Sequence, residues 1–73
     1  MSYRLQRLDT GGLVRSYERE SDALAFVRDV IRLGSRAAAR GFVLTQEDEG
    51  GSVRTIAEGE ALVRRALQDQ AEA

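Results

Sequence analysis

The sequence lacks the residues that support most enzyme and metal chemistry. It contains no cysteine and no histidine, and its eleven basic residues are all arginine. Without these residues there are no disulfides, no thiolate metal sites, no usual zinc ligand and no usual general base. A nucleophilic serine or threonine would find neither histidine nor lysine to take its proton. We therefore expect no enzyme, no bound metal and no cofactor.

Long apolar stretches are also missing. No run approaches the roughly 18 apolar residues that a membrane-spanning helix needs. The first residues, MSYRLQRLD, contain no apolar segment of the kind found in signal peptides. We expect a cytoplasmic protein without a membrane partner. Arginine and alanine are abundant whereas lysine and proline are absent, a bias typical of a GC-rich bacterial genome.

The length predicts one domain, residues 1–73, with a small core. A chain of this size buries only roughly 60% of the surface that its unfolded form exposes. Such domains usually need a disulfide, a metal or a partner subunit, and of these only association remains. The net charge of −1 gives no general attraction to nucleic acid. The charge is uneven, because residues 1–40 carry eight arginines against five acids and residues 41–73 carry three against seven.

Two stretches of the sequence are nearly the same. DTGGLVRSYE at 9–18 is repeated as DEGGSVRTIAE at 48–58. A shift of 39 positions also aligns Tyr3 with Phe42 and Leu5 with Leu44. The similarity extends over apolar, turn and polar positions together. It predicts a pseudo-repeat with halves of about 1–40 and 41–73.

Each copy is typical of a strand, a turn, a second strand and a helix. Aspartate favours a turn because its carboxylate accepts backbone N–H bonds, and glycine tolerates the positive φ of a tight hairpin. The glycine pairs lead into strands rather than helices, which excludes a phosphate-binding loop. We predict that Ser21 caps the first helix and that Gly34 ends it. The predicted strands cover 2–8, 13–18, 41–47 and 52–58; the second helix covers 60–70, with a short extra turn over 35–40.

The order ββαββα predicts an α+β fold. The simplest assembly is one four-stranded, mainly antiparallel sheet with two helices packed on one face. The face assignment depends on the strand phase, because a slip of one residue exchanges the two faces. The predicted inner face carries Tyr3, Leu5, Val14, Phe42, Leu44 and Val53.

The other face of the predicted sheet meets water or a partner. It mixes apolar side chains with arginines, and exposed apolar area with Tyr and Arg is typical of interfaces. We expect a small non-catalytic bacterial protein-interaction module that binds itself or another protein. The expected form is a homodimer, joined through the open face or an edge of the sheet. The predicted interface consists of Leu8, Leu13, Arg15, Tyr17, Val43, Arg54 and Ile56.

The alternative is a nucleic-acid-binding or regulatory protein. Tyr17 would stack on a base while Arg4, Arg15 and Arg54 contact phosphates, as in sheet-based single-strand binders. Those platforms usually present two or three aromatic rings, whereas this predicted face has one. A third interpretation is an ordinary solvated face with scattered apolar residues.

Two further charge clusters have simpler explanations. QEDEGG at 46–51 lacks the alternating acidic spacing of a calcium loop, so we interpret it as a solvated hairpin tip. Arginines at 28, 32, 36 and 40 recur every four residues, but LGS at 33–35 interrupts the helix. We interpret these arginines as a solvated polar face.

Overall fold

The computed structural model shows a four-stranded antiparallel sheet with three helices, which confirms the α+β class. It describes the backbone of residues 2–72 and the side chains of residues 2–68. The elements are β1 (Ser2–Arg7), β2 (Leu13–Tyr17), α1 (Glu20–Leu33), α2 (Arg36–Ala39), β3 (Phe42–Glu47), β4 (Val53–Glu58) and α3 (Gly59–Glu72).

The strand order is β2-β1-β3-β4, so the first strand of each hairpin lies at the centre. All three neighbouring pairs are antiparallel. The central pairing of β1 with β3 is regular from Ser2 opposite Glu47 to Arg7 opposite Phe42. It sets Leu5 directly opposite Leu44. Directly opposed residues share a face, so these two leucines point to the same side of the sheet.

The core is built around those two leucines. Both are fully buried, in one cluster with side chains from all three helices. We call the face that carries Leu5 and Leu44 the core face, and the opposite one the outer face. The fully or almost fully buried apolar residues are Leu5, Ala23, Leu24, Val27, Ala39, Leu44, Leu62, Val63 and Ala66.

The two hairpin turns differ despite their similar sequences. In the first, the Arg7 N–H donates to the Gly12 carbonyl over 2.9 Å, which leaves residues 8–11 as the loop. In the second, the Asp48 N–H donates to the Ser52 carbonyl over 3.0 Å, which leaves residues 49–51. The positive φ falls on Gly11 (72°) and on Gly51 (85°), the first glycine of one pair and the second glycine of the other.

Each edge strand contains a β-bulge. The register of β1 with β2 shifts after Leu5, so Val14 is an extra residue between Arg15 and Leu13. The register of β3 with β4 shifts after Leu44, so Ile56 is an extra residue between Ala57 and Thr55. A bulge breaks the strict alternation of side chains along a strand. Assigning faces by counting residues therefore fails beyond each bulge.

The helix boundaries confirm most of the predicted ends. Gly34 ends α1, with its N–H bonded to the Val30 carbonyl at 2.9 Å. The hydroxyl of Ser35 caps the short α2 by accepting the Ala38 N–H at 3.0 Å. None of the helices in the described part of the chain combines the length and hydropathy that crossing a bilayer requires.

The prediction that Ser21 caps α1 is wrong. The capping position is Arg19, whose side chain makes no capping bond, and the helix begins at Glu20. The first residue of the helix, Glu20, makes a tertiary contact. Its carboxylate accepts two hydrogen bonds from the Arg65 guanidinium on α3, at 2.7 and 3.0 Å. Acidic side chains in the first turn also complement the helix dipole.

Candidate interaction surface

The outer face follows directly from the strand register. Leu13 lies opposite Gln6, Gln6 opposite Val43, and Val43 opposite Glu58, so one row of four residues crosses the sheet. A second row joins Ser16, Arg4, Thr45 and Thr55, and a third joins Ser2, Glu47 and Val53.

Apolar side chains concentrate at the end of this face that joins β1 to β2. Leu13 is 57% exposed, Leu8 44% and Val14 38%. Val43 lies in the same row as Leu13 and is half-buried. We call Leu8, Leu13, Val14 and Val43 the hairpin patch. Single exposed apolar residues are common on protein surfaces, but two leucines and a valine on one hairpin form an exposed apolar patch of the kind often found at interfaces.

Apart from Val53, which is 59% exposed, the rest of the outer face is polar. The Arg4 guanidinium lies 3.3 Å from the Glu47 carboxylate. Thr45 is only 7% exposed, and its hydroxyl donates to the Arg4 carbonyl at 3.4 Å. This face therefore combines an apolar end with a charged pair of opposite signs.

The structure moves two predicted interface residues off the outer face. Tyr17 lies opposite Tyr3 on the core face, and its ring centroid is 6.5 Å from that of Phe26. Ile56 is half-buried and packs against the core. The prediction that both residues lie on the open face is wrong, because the bulges at Val14 and Ile56 shift the alternation.

The two predicted interface arginines also lie elsewhere. Arg15 is opposite Leu5, and its guanidinium sits 5.9 Å from the centroid of the Tyr17 ring. Arg54 is opposite Gln46 and donates to its side-chain oxygen at 2.8 Å. Both arginines therefore belong to the core face, at opposite edges of the sheet. Of the seven predicted residues, the structure brings together Leu8, Leu13 and Val43.

Two predicted inner-face residues need the opposite correction. Val53 is 59% exposed and lies opposite Glu47 on the outer face. Val14 is the extra residue of its bulge, and its exposure makes it part of the hairpin patch. The remaining predicted inner-face residues, Tyr3, Leu5, Phe42 and Leu44, are on the core face.

The hydroxyl of Tyr17 is buried and has no hydrogen-bond partner among the described residues. Burial raises the pKa of this phenol, partly opposed by the positive charge of Arg15. A buried hydroxyl without a partner costs stability. The neighbouring Tyr3 differs, because its hydroxyl accepts a bond from the Gln46 amide at 3.2 Å.

An open groove lies between β4 and α3. One part, about 490 Å³, is lined by the helix positions 60, 61, 64, 65 and 68 together with Ile56 and Ala57. The adjoining part, about 440 Å³, is lined by Tyr3, Glu20, Gln46, Arg54, Thr55, Ile56 and Arg65. Both parts are lined by Ile56 and Arg65, so they lie side by side, and we call them together the β4–α3 groove.

Three arginines surround Glu60 at one end of this groove. Arg36 and Arg40 contact its carboxylate at 2.9 and 2.6 Å, and Arg64 lies 4.0 Å away. Hydrogen bonds from Arg36 and Arg40 hold the pKa of Glu60 below its usual range. Sequence reasoning missed this cluster because α2 brings residues 36 and 40 to the start of α3. Their spacing of four, on one helical side, was the available signal.

At the acidic hairpin tip, the Asp48 carboxylate is bonded to backbone N–H groups of its own turn. One oxygen of the Asp48 carboxylate accepts the N–H groups of Gly50 and Ser52, both at 2.9 Å. Within the described residues no group of three or more acidic side chains is placed to hold a metal ion.

The chain matches no protein-family model, and neither a curated protein nor a solved structure shows significant similarity to it. Function is therefore inferred from the surface itself.

Proposed function

We propose that the protein is a small, non-catalytic protein-interaction module that forms a homodimer through the hairpin patch on its outer face. The observation that carries this proposal is the exposure of Leu8, Leu13 and Val14 on one hairpin, at 44%, 57% and 38%. Together with Val43 they form the apolar centre that an interface needs, while the polar remainder of the face serves as a rim.

The two edges of the sheet are less suited to pairing than the face. Each edge strand contains a bulge and an arginine, which is Arg15 in β2 and Arg54 in β4. Bulges and charged side chains on an edge oppose the addition of another strand. These features support contact through the face.

A second copy is the partner that the charges fit best. Arg4 and Glu47 lie close together on the outer face, so a twofold axis near them would place each arginine near the other subunit's glutamate. Two copies of the hairpin patch would meet in the same arrangement. The surface is therefore self-complementary in charge and apolar character.

The area needed supports including the hairpin in the interface. A stable interface buries about 800 Å² per partner, roughly one sixth of the 4761 Å² accessible surface of this chain. A four-stranded sheet with strands of about 20 Å projects only roughly 400 Å². Leu8 extends the apolar surface beyond the end of β1, and Val14 adds to it as the extra residue of the bulge in β2.

We also infer that α1 and α3 cover the same face of the sheet and that the two halves are copies of one unit. The shared buried cluster supports the first inference, because residues of both helices pack with Leu5 and Leu44. The symmetric strand order, with β1 and β3 at the centre, supports the second.

The test is sedimentation equilibrium of the wild type, of Leu13→Glu and of Leu33→Glu. We expect a dimer that Leu13→Glu converts to a folded monomer. Leu33→Glu is the matched control, since Leu33 is an exposed leucine (81%) at the end of α1 rather than on the outer face of the sheet. A monomeric wild type, or equal dissociation by both substitutions, would reject this interface.

The nucleic-acid alternative has less support. The Tyr17 ring packs beside Phe26, and Arg4 is paired with Glu47. A fluorescently labelled single-stranded oligonucleotide tests it by anisotropy. Salt-sensitive binding that is lost in Arg15→Ala/Arg54→Ala would establish this alternative.

A further inference from the structure

The β4–α3 groove is basic in a chain that is slightly acidic overall. Arg54, Arg64 and Arg65 line it, and Arg36 and Arg40 reach its end through Glu60. The lining residues alone are three arginines against two acidic residues, Glu20 and Glu60, a net charge of +1, and the contacts of Arg36 and Arg40 with Glu60 add two positive charges. The local net charge is thus +3, whereas the whole chain has −1. Arginines from both halves of the sequence contribute to this positive charge, so the uneven charge of the two halves does not predict a basic groove.

Arg54 leaves an unbalanced positive charge at one end of the groove. Its guanidinium donates to the neutral side chain of Gln46, and no carboxylate of the described residues lies within 4 Å of it. Arg65 lines the same part of the groove from the helix. The Tyr3 hydroxyl and the Gln46 amide line this part as well, so several polar groups converge there.

The other end of the groove has more guanidinium groups than its carboxylate can neutralise. The Glu60 carboxylate forms ion pairs with Arg36 and Arg40. The Arg64 guanidinium lies 4.0 Å from the same carboxylate, and its side chain is 73% exposed. A planar guanidinium presents a fork of donors that fits the oxygens of a carboxylate or a phosphate. Positions 60 and 65 lie about 7.5 Å apart along a helix axis.

We propose that the β4–α3 groove binds a small anion with two or more phosphate or carboxylate groups. One group contacts Arg54 and Arg65, and the second contacts Arg64 beside the cluster around Glu60. The groove's volume, about 490 and 440 Å³ in its two parts, is in the range of small-molecule sites. The groove lies on the core-face side of the sheet, whereas the proposed dimer uses the outer face, so anion binding does not depend on dimer formation.

The existing ion pairs allow this binding. Arg65 and Glu20 have side chains that are 47% and 30% exposed, so their pair is in contact with solvent. Ion pairs near the surface are weak, and a ligand with several charges competes with them effectively.

The experiment is isothermal titration at low salt with tripolyphosphate and with citrate, and with sodium sulfate as the single-anion control. The test variant is Arg54→Gln. The matched control is Arg15→Gln, since Arg15 is also an exposed arginine on the core face of an edge strand without a carboxylate partner. Both substitutions remove one positive charge, so any difference reports position rather than total charge.

We expect saturable one-to-one binding of at least one multivalent anion. Arg54→Gln should weaken it by about tenfold, equivalent to about 1.4 kcal/mol, whereas Arg15→Gln should change it less than about twofold. Arg64→Gln should also weaken binding. The Arg64 side chain is 73% exposed, and circular dichroism checks that this variant folds. Tighter binding of tripolyphosphate assigns a phosphate ligand, and tighter binding of citrate assigns a carboxylate ligand.

Three results would overturn the proposal. The first is no saturable binding of either multivalent anion. The second is an equal loss in Arg54→Gln and Arg15→Gln, which would indicate general charge attraction. The third is sulfate binding as tightly as both larger anions, which would show that the groove does not use two charged groups together.

Discussion

The two hairpins start from nearly the same sequence and end as different surfaces. DTGGLVRS forms a loop of residues 8–11 and exposes Leu8, Leu13 and Val14. DEGGSVRT forms a loop of residues 49–51 and presents acidic side chains at its tip, with Asp48 bonded to its own backbone. Turn length and bulge position therefore decide which side chains reach the surface.

The difference has a simple physical origin. The three-residue loop closes with the Gly51 N–H donating to the Asp48 carbonyl at 3.1 Å. The longer loop closes with the Gly11 N–H donating to the Arg7 carbonyl at 2.8 Å. One additional loop residue changes which glycine takes the positive φ. Both bulges lie at equivalent points of the central strands, after Leu5 and after Leu44, but the extra residue is Val14 in β2 and Ile56 in β4, which are not equivalent positions of the two copies. Similar sequences thus give related topology without equivalent surfaces.

The largest change in stability should come from substitutions where β1 of the first hairpin pairs with β3 of the second. Leu5→Ala and Leu44→Ala each remove a fully buried side chain, so we expect a loss of about 2–5 kcal/mol in the free energy of unfolding. Leu13→Ala, at an exposed hairpin position, should change it by less than about 0.5 kcal/mol when measured on the monomer. Urea unfolding at a protein concentration at which the chain is monomeric measures all three. Equal losses at Leu13 and Leu44 would contradict the assigned faces.

The glycine pairs offer a direct test of the turn difference. Gly11→Ala and Gly51→Ala force a side chain onto a positive φ, and each should destabilise the fold by about 1–2 kcal/mol. Gly50→Ala should be neutral or stabilising, because its φ is not positive and its Cβ would lie at an ordinary 3.4 Å from the Asp48 carboxylate. Thermal unfolding gives the order. If Gly50→Ala destabilised the fold more than Gly51→Ala, the first glycine of each pair would be the critical one, and the two turns would be equivalent.

The paired tyrosines sharpen the comparison on the core face. Tyr17→Phe removes a buried hydroxyl without a partner, so we expect a gain in stability of up to about 1 kcal/mol. Tyr3→Phe removes the bond with Gln46, so it should lose about 0.5–1.5 kcal/mol. The two residues are opposite each other in the sheet, which makes them matched controls. Urea unfolding of both variants should show shifts of opposite sign.

The smallest effect concerns Glu60, which links the two halves through Arg36 and Arg40. The pKa of Glu60 is lowered from its ordinary value of 4.5 by these hydrogen bonds. Its contribution is therefore complete above that value and is lost as the pH falls through the lower pKa of the folded state. The stability difference between the wild type and Glu60→Gln should shrink as the pH falls from 7 to 3. Urea unfolding at several pH values measures it, and a constant difference would contradict this account.

Much of the fold can be predicted from local chemistry. Alternation along residues 2–7 and 42–47 placed Tyr3, Leu5, Phe42 and Leu44 correctly, because the central strands pair without a bulge. The Asp-Thr-Gly-Gly and Asp-Glu-Gly-Gly turns and Gly34 mark the ends of elements. These features depend on neighbours in sequence, which is why the sequence reveals them.

The candidate surfaces were harder to predict because they depend on register. Val14 and Ile56 are extra residues in their strands, and no local composition distinguishes them from regular strand positions. Each displaced a set of predicted interface residues to the other face. The basic groove depends on α2 approaching α3, a tertiary contact between distant residues. The sequence contains no local signal for the bulges, and the four-residue spacing of Arg36 and Arg40 indicates only a shared helical side, not the approach of α2 to α3.

The central position of β1 and β3 has a consequence for how the chain folds. Their partners are 35 to 45 positions apart, from Arg7 with Phe42 to Ser2 with Glu47. Hairpins form in about 1–10 μs, but a ladder between distant strands must first close a long loop at an entropic cost. We expect the meeting of the two hairpins to set the folding rate, with Leu5 and Leu44 in the nucleus. Substitutions on β2 or β4 should mainly accelerate unfolding.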